Sequence, residues 1–392
     1  MRIAKIEDLH CNAGWRTWSF LKITTDDGVV GWAEYDESYG SRGLSAVIRA
    51  LAEHLVGRDP RPVERITAML YGLTRQAPGG LIQQAIAAIE NALVDVKARA
   101  LGVPVAELLG GPVRDRLRLY WSHCGSYRLD HAATMGTPPV RSLDDVRALG
   151  REVRERGFTA LKTNIFRFDR GGAPYMHQPG FARGEGWPEL NVDRRILRII
   201  ADQMAAFRDG AGEEVDLLLD LNFNFKTEGF LEVARAIEPY DLMWLEIDSF
   251  DPQALALIRR GTRTPVASCE SLFGRRQFRP FLDAQAVDVA IVDVPWNGIL
   301  EGVKIAAMAE SYEVNCAPHN FYGHLSTMMS AHFCAAIPNF RIMEIDIDDV
   351  PGKDEVAGPP PVIEAGHLVL PDGPGWGVEV NEAAIRAHPP KS

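Results

Sequence analysis

Apolar and polar positions alternate along Phe20-Leu-Lys-Ile-Thr-Thr25 and again along Val29-Val-Gly-Trp-Ala-Glu34. Asp26-Asp-Gly28 between them has the composition of a hairpin turn, so the first 35 or so residues predict a β meander. From about Gly43 to Gly110 the period becomes helical. Ile82, Ala85, Ile86, Ile89, Leu93 and Val96 step by three and four, Gly102 closes that run, and Pro104 opens a further short helix. Residues 1–115 therefore predict an α+β module, strands first and helices after.

After about Arg116 the rhythm changes to strand-like runs alternating with helical ones. Leu117-Arg-Leu-Tyr-Trp-Ser122 predicts a first strand. A helix around Ser142–Arg156 precedes a second strand, Phe158-Thr-Ala-Leu-Lys-Thr-Asn164. Helices are predicted at 191–208, 228–237, 251–260, 275–284, 299–312 and 323–336, with strands ending near 222, 247, 270, 293, 317 and 345. Eight strands, each followed by a connecting segment, predict an α/β fold: a (β/α)8 TIM-type barrel over 116–365. The turn-rich tail, about 366–392, is expected to run back onto the N-terminal module. Residues 165–190 are too long and too rich in Gly and Pro for an ordinary connection. They carry Arg167, Arg170, Tyr175, His177, Arg183 and Trp187, and predict a lid or specificity loop at the barrel mouth.

Three of the strand-like runs end in a carboxylate: Val215–Asn222 carries Asp220, Leu242–Glu246 ends in Glu246, and Thr264–Glu270 ends in Glu270. Alternation puts Leu218, Asp220 and Asn222 on one face. An acid on the buried face of a strand needs a partner. One such acid is unremarkable; three on successive strands suggest a hard-cation site of oxygen ligands. Barrel chemistry sits at the C-terminal strand ends, where these acids lie.

The other polar residues at strand ends are Lys162, Asn164, Asn222, Asp293, His319 and Glu344. Barrel interiors are normally filled by branched apolar side chains, so this series marks a site. Lys162 needs a counter-charge, and a structural pairing with Asp220 is the plain alternative to a catalytic role. Asp293 and His319 end neighbouring strands, an arrangement in which a carboxylate orients an imidazole base. The series suits removal of a proton alpha to a carboxylate. A cation stabilises the enediolate, a base stands beside the α-carbon, and Glu344 donates a hydrogen bond if neighbouring acids raise its pKa.

Composition narrows the field. The chain has 392 residues, 46% hydrophobic and 24% charged, with a net charge of −11. That balance is ordinary for a globular protein and argues against nucleic-acid and anionic-membrane partners. The five cysteines, Cys11, Cys124, Cys269, Cys316 and Cys334, are scattered with no CxxC pair, which suits reduced thiols in a cytosol. The N-terminus lacks the apolar core of a signal peptide, and no uncharged apolar run reaches the length of a membrane span.

The chain resembles the enolase superfamily and, within it, the mandelate racemase-like subgroup. The resemblance is carried by Gly28-Val-Val-Gly-Trp-Ala-Glu34, by Ala85–Ala98 with Leu101–Gly111, and by the series Asp220, Glu246, Glu270, Asp293, His319, Glu344. It implies a barrel capped by the N-terminal domain. It further implies one Mg2+ per subunit on Asp220, Glu246 and Glu270, a His319–Asp293 base dyad, and Glu344 as the donor to the enediolate. The partner is a small carboxylate substrate, and homo-oligomers, dimers or octamers, are expected. The subgroup commonly has Lys-x-Lys on strand two; here the sequence is Lys162-Thr-Asn164. Asn164 cannot serve as the second base. Members with a non-basic residue there are similar to acid-sugar dehydratases. In these, His319 would take the C2 proton and protonate the leaving hydroxyl, giving a 2-keto-3-deoxy acid, while Lys162 meets the substrate carboxylate. Asn222 stands where some sugar-acid dehydratases carry a histidine.

Substrate contacts are expected from Asn164 and Asn222, from Trp18 with Trp15 and Arg16 on the capping hairpin, and from Tyr175, His177 and Arg183 on the lid. An epimerase or cycloisomerase working through the same enediolate is the alternative activity. A non-catalytic sugar-acid sensor has no use for both His319 and Asp293. An amidohydrolase-type barrel usually carries His-x-His on strand one, where Trp121-Ser-His123 has one histidine.

Overall fold

Three antiparallel strands, Ile3–Ala13, Arg16–Thr25 and Val30–Tyr35, open the chain, with Leu9 opposite Phe20 and Phe20 opposite Glu34. The long helix Gly80–Leu101 packs on them, and Gly31 has no room for a side chain against Ala92 and Val96 of that helix. The computed structural model describes residues 1–39, 41–168 and 173–390. Among these, no helix is long and apolar enough to cross a membrane.

Eight parallel strands follow: Arg116–Ser122, Ala160–Thr163, Asp216–Asp220, Trp244–Glu246, Val266–Ser268, Val289–Asp293, Asn315–His319 and Met343–Asp346. The last pairs back onto the first, Glu344 against Tyr120 and Asp346 against Ser122. Strands seven and eight meet through the bridge between Cys316 and Phe340, which closes the barrel. The connecting helices are Leu143–Glu155, Arg194–Ala211, Thr227–Ile237, Pro252–Arg260, Gly274–Asp283, Ile299–Glu310 and His324–Ala336. Ser142, Asp193 and Asp251 cap three of them by accepting backbone N–H bonds.

The period of two along the strands builds a floor and then a site. Tyr120, Ala160, Leu218, Trp244, Ala267, Ile291, Ala317 and Ile342 form an apolar plug inside the barrel. One inward step further lie Ser122, Lys162, Asp220, Glu246, Asp293, His319 and Glu344. The plug supports the polar layer directly: the Tyr120 ring lies under the Lys162 ammonium at 5.4 Å and meets Trp244 edge-on at 5.6 Å.

The tail returns to both parts of the molecule. His367–Val369 pairs antiparallel with Arg116–Arg118. Trp376 donates from its indole to Trp32 O and from its backbone to Asp95. Within 165–190, Phe166–Arg167 pairs antiparallel with Tyr175–Met176, and a turn follows at Pro179–Phe181. Arg170, singled out in the sequence, lies outside the described residues. Strand five stops at Ser268, so Glu270 lies beyond its end, where the sequence pattern had placed it at the end of a longer strand.

Candidate active site

The polar layer opens into a cavity of about 560 Å³ at the C-terminal ends of the strands. Lys162, Asn164, Asp220, Asn222, Glu270, His319 and Glu344 line it, together with His123 from the end of strand one. The N-terminal domain contributes Ser38, Tyr39 and Arg42, and the segment after strand two contributes Met176, Gln178, Phe181 and Arg183. Tyr127, Phe223, Trp296 and Phe321 supply aromatic wall.

Strand register creates the base dyad. Asp293 is the direct partner of His319 across strands six and seven. The His319 Nδ1 bonds Asp293 Oδ2 at 2.6 Å, and Asp293 also accepts from the Tyr322 hydroxyl at 2.5 Å and the Trp296 backbone at 2.7 Å. Three donors on one buried carboxylate fix the ring, leaving Nε2 to the cavity, 3.8 Å from Glu270. Burial alone would lower the imidazole pKa; Glu270, Asp293 and Glu344 more than offset it and raise it well above the usual value.

Lys162 pairs with Glu246 and Glu344 rather than with Asp220. Its Nζ lies 3.0 Å from each Glu246 oxygen and 2.9 Å from Glu344. Burial works against the ammonium, and these two carboxylates reverse the effect, holding its pKa well above the ordinary lysine value. Glu344 corrects an expectation. Burial tends to raise its pKa, but Lys162 and then His319 pull it down to about 2. Its carboxylate accepts from Ser122 Oγ and from Asn320 N, the latter at 2.7 Å. The neighbours it meets are cations and donors, not the acids assumed, so it stands as an acceptor rather than a protonated donor.

Asp220 and Glu246 are register partners on strands three and four, and share one face of the sheet. Asn222 donates to Asp220 from its backbone at 2.8 Å and from its amide at 2.9 Å, and the Asn164 amide approaches the other oxygen at 3.4 Å. Burial, then Glu246, raise the Asp220 pKa to about 6. Burial, then Asp248, raise that of Glu270 well above the ordinary carboxyl value. Asp248 lies one inward step beyond Glu246 and is pushed up to about 8 by burial and then by Asp220 and Glu246. The sequence reading missed it, although the spacing Glu246-x-Asp248 repeats that of Asp220-x-Asn222. Buried carboxylates that raise one another's pKa carry charge that a hard divalent cation would offset, and an all-oxygen donor set suits magnesium. As they stand, no three His, Cys, Asp or Glu side chains among the described residues are gathered at metal-binding spacing. Lys162 occupies the oxygens of Glu246.

Backbone strain clusters at this mouth. His123, Asn222 and Cys269 have φ of +45°, +45° and +91°, left-handed values that turn the chain sharply after strands one, three and five. The turn at Cys269 brings Glu270 to the cavity.

Five expected substrate contacts lie elsewhere. Trp18 is a 4% exposed core residue of the N-terminal sheet and does not line the cavity. The aromatic and cationic residues of that hairpin suggested a binding surface, but Arg16 is buried against Asp349 at 3.0 Å, and Trp15 stacks on His131 at 4.5 Å. Tyr175 packs under the Arg167 guanidinium at 5.8 Å, and the His177 ring turns toward Phe225 at 6.0 Å. Both fall outside the cavity lining because the strand pairing turns Met176 inward instead; Arg183 does line the cavity.

Residues 145–384 match the family described as enolase C-terminal domain-like, and residues 13–110 match the mandelate racemase/muconate lactonizing enzyme N-terminal domain. The chain is 32% identical over 382 residues to the D-galactonate dehydratase of Ralstonia nicotianae, covering 94% of this chain and 90% of that protein. It is 30% identical over 397 residues to the D-xylonate dehydratase of Haloferax volcanii, covering 99% and 90%. A provisionally named L-alanine-DL-glutamate epimerase from Burkholderia xenovorans superposes with a TM-score of 0.98 at 52% identity, covering 100% of this chain and 99% of the other. A crystal structure carrying the same name and bound to magnesium and fumarate superposes at 0.97, with 52% identity over 100% and 96% of the two chains. The chain belongs to the enolase superfamily, in its mandelate racemase/muconate lactonizing enzyme branch.

Proposed function

We propose that this protein is a carbon–oxygen hydro-lyase that removes the proton alpha to a carboxylate and dehydrates a sugar acid, an aldonate or aldarate, to a 2-keto-3-deoxy acid. The observation that carries the reading is the His319–Asp293 dyad, 2.6 Å between Nδ1 and Oδ2, facing a cavity lined by buried carboxylates. The dehydratase relatives, about 30% identical, support the direction of the chemistry.

A magnesium ion held by Asp220, Glu246 and Glu270 would supply Lewis-acid charge to the substrate carboxylate. The chain's own residues do the rest. Asp293 keeps a proton on Nδ1 of His319, so Nε2 is the atom that takes the C2 proton. Among the charges around His319, Glu270 most favours its protonated form, and a cation held there would offset it. Lys162 holds fixed positive charge beneath the carboxylate end of the substrate. Asn164 and Asn222 hold Asp220 in place, and Arg42 and Arg183 at the rim meet the far end of the chain of hydroxyls. We propose a homo-oligomer in the cytosol, a compartment that suits the five free, buried cysteines.

Epimerisation through the same enediolate is the second reading, favoured by the name of the 52% identical protein. The test is a screen of aldonic and aldaric acids with Mg2+ in D2O, read by proton NMR and by trapping of 2-keto acids. Keto-acid formation supports the dehydratase. Deuterium at C2 with inversion and no keto acid replaces it with the epimerase.

A further inference from the structure

The cavity holds a second imidazole–carboxylate pair that the proposed reaction has not used. His123 follows strand one, and its Nδ1 lies 2.9 Å from Asp346 Oδ1 at the end of strand eight. Asp346 has no exposed side-chain surface, and its other oxygen accepts from the Tyr127 hydroxyl at 3.2 Å. The Arg16 guanidinium stands 3.6 Å from that same oxygen and is itself held by Asp349. This is the arrangement that fixes His319: a buried carboxylate, oriented by several donors, holding one imidazole nitrogen. The His123 ring stacks on Tyr127 at 4.8 Å, and its Nε2 has no partner among the described residues. The left-handed backbone at His123 aims the ring into the cavity rather than along the strand.

The two imidazoles share a wall. His319 packs on the Phe321 ring at 5.0 Å between centroids, and His123 meets the same ring at 6.3 Å. Both line the cavity, on strands separated only by strand eight. The cationic and amide groups of the cavity are ill suited to giving up a proton. Lys162 is bound to two carboxylates, Asn164 and Asn222 are amides engaged with Asp220, and a guanidinium at the rim does not release its proton.

Resting on the dehydratase reading, we propose that His123, oriented by Asp346, is the acid that protonates the departing hydroxyl. His319 Nε2 takes the C2 proton. As the C3–O bond breaks, its electron pair leaves with oxygen, and the proton on His123 Nε2 passes to that oxygen to form water. The enol left behind takes a proton at C3 and gives up its C2 hydroxyl proton to solvent, becoming the 2-keto-3-deoxy acid, and His319 returns its proton to solvent while His123 regains one. No oxidant or reductant enters.

The test compares the unaltered protein with His123→Asn, His123→Gln and His319→Asn, on the sugar acid the unaltered protein dehydrates and on its 3-deoxy-3-fluoro analogue. Fluoride departs without a proton. The expected result is that both His123 variants lose water elimination by about 10²–10⁴-fold. They release fluoride within about threefold of the unaltered rate and still exchange the C2 proton for deuterium, whereas His319→Asn loses all three. Parallel loss of fluoride and water elimination in the His123 variants, or retention of water elimination, overturns the assignment of His123 alone. Failure of the unaltered protein to dehydrate any sugar acid overturns it together with the reading it rests on.

Discussion

Lys162 and Glu344 stand 2.9 Å apart at the base of the cavity, with side chains 3% and 0% exposed. Together with Glu246, they form a buried ion triad in which one cation holds two anions. Removing one side of a buried pair leaves the other charge unpaired, at a cost of about 3–5 kcal/mol. Lys162→Met is therefore expected to lose stability on that scale in metal-free protein. Glu344→Gln is expected to lose less, because Glu246 still holds Lys162. Urea unfolding of both variants in EDTA checks the ordering; equal losses would contradict it.

Magnesium is expected to stabilise the protein by binding where carboxylates repel one another. At about 100 times its dissociation constant, an ion that binds only the folded state adds about 2.7 kcal/mol. Thermal melting with and without Mg2+ should show the shift. Asp220→Asn and Glu270→Gln should abolish it while leaving the EDTA melting point level or higher.

The contacts between the N-terminal domain and the barrel carry a pH dependence. Glu34 accepts from Gly323 N at 2.7 Å and Ser326 N at 2.9 Å, at the start of the helix His324–Ala336. Burial raises its pKa to about 7 against the opposing backbone bonds. Glu90, which accepts from Leu300 N at 2.9 Å, is pushed by burial to about 8. Both values lie above that of an exposed carboxyl, so folding favours the protonated form. The contribution is complete below the unfolded-state value of 4.5 and is lost as pH rises through about 7 and 8. Glu90→Gln removes the ionisation and keeps an acceptor for Leu300. Its stability relative to the unaltered protein should rise between about pH 4.5 and pH 8 and level off above that. Denaturant curves across that range test it; a difference independent of pH would contradict it.

Arg42 and Arg183 line the cavity and have no part in the proposed proton transfers. Replacement of either by Ala is expected to raise KM by about tenfold with little change in kcat, the signature of uniform binding. The loss should be larger for an aldarate than for the matching aldonate, since a second carboxylate gains charge-assisted hydrogen bonds. Steady-state kinetics on the pair decides it.

Much of the site follows from the period of two along buried strands. Leu218 to Asp220, Ile291 to Asp293 and Ala317 to His319 each step from barrel plug to polar layer, and that step is visible in a single strand's sequence. What escaped depends on contacts the pattern does not encode. The His123–Asp346 bond spans 223 residues and exists because strand eight closes onto strand one. The ionisation of Glu344 depends on which neighbour reaches it, and alternation does not say that Lys162 does. Trp18 shows the opposite failure. An aromatic residue near a hairpin tip suggests a binding surface, yet it faces the core of its own sheet. Tyr175 and His177 sit in a segment whose strand pairing, not its composition, decides which side chains turn inward.

In the proposed reaction His319, held by Asp293, takes the proton alpha to the substrate carboxylate. The most direct measurement is C2 deuterium exchange and 2-keto-acid formation by His319→Asn in D2O with Mg2+. It would use the sugar acid that the unaltered protein turns over, with magnesium-dependent melting as the control for folding. Both signals are expected to be lost while the magnesium shift persists. Exchange at C2 that survives in a folded His319→Asn protein would contradict it and assign the abstraction to another residue.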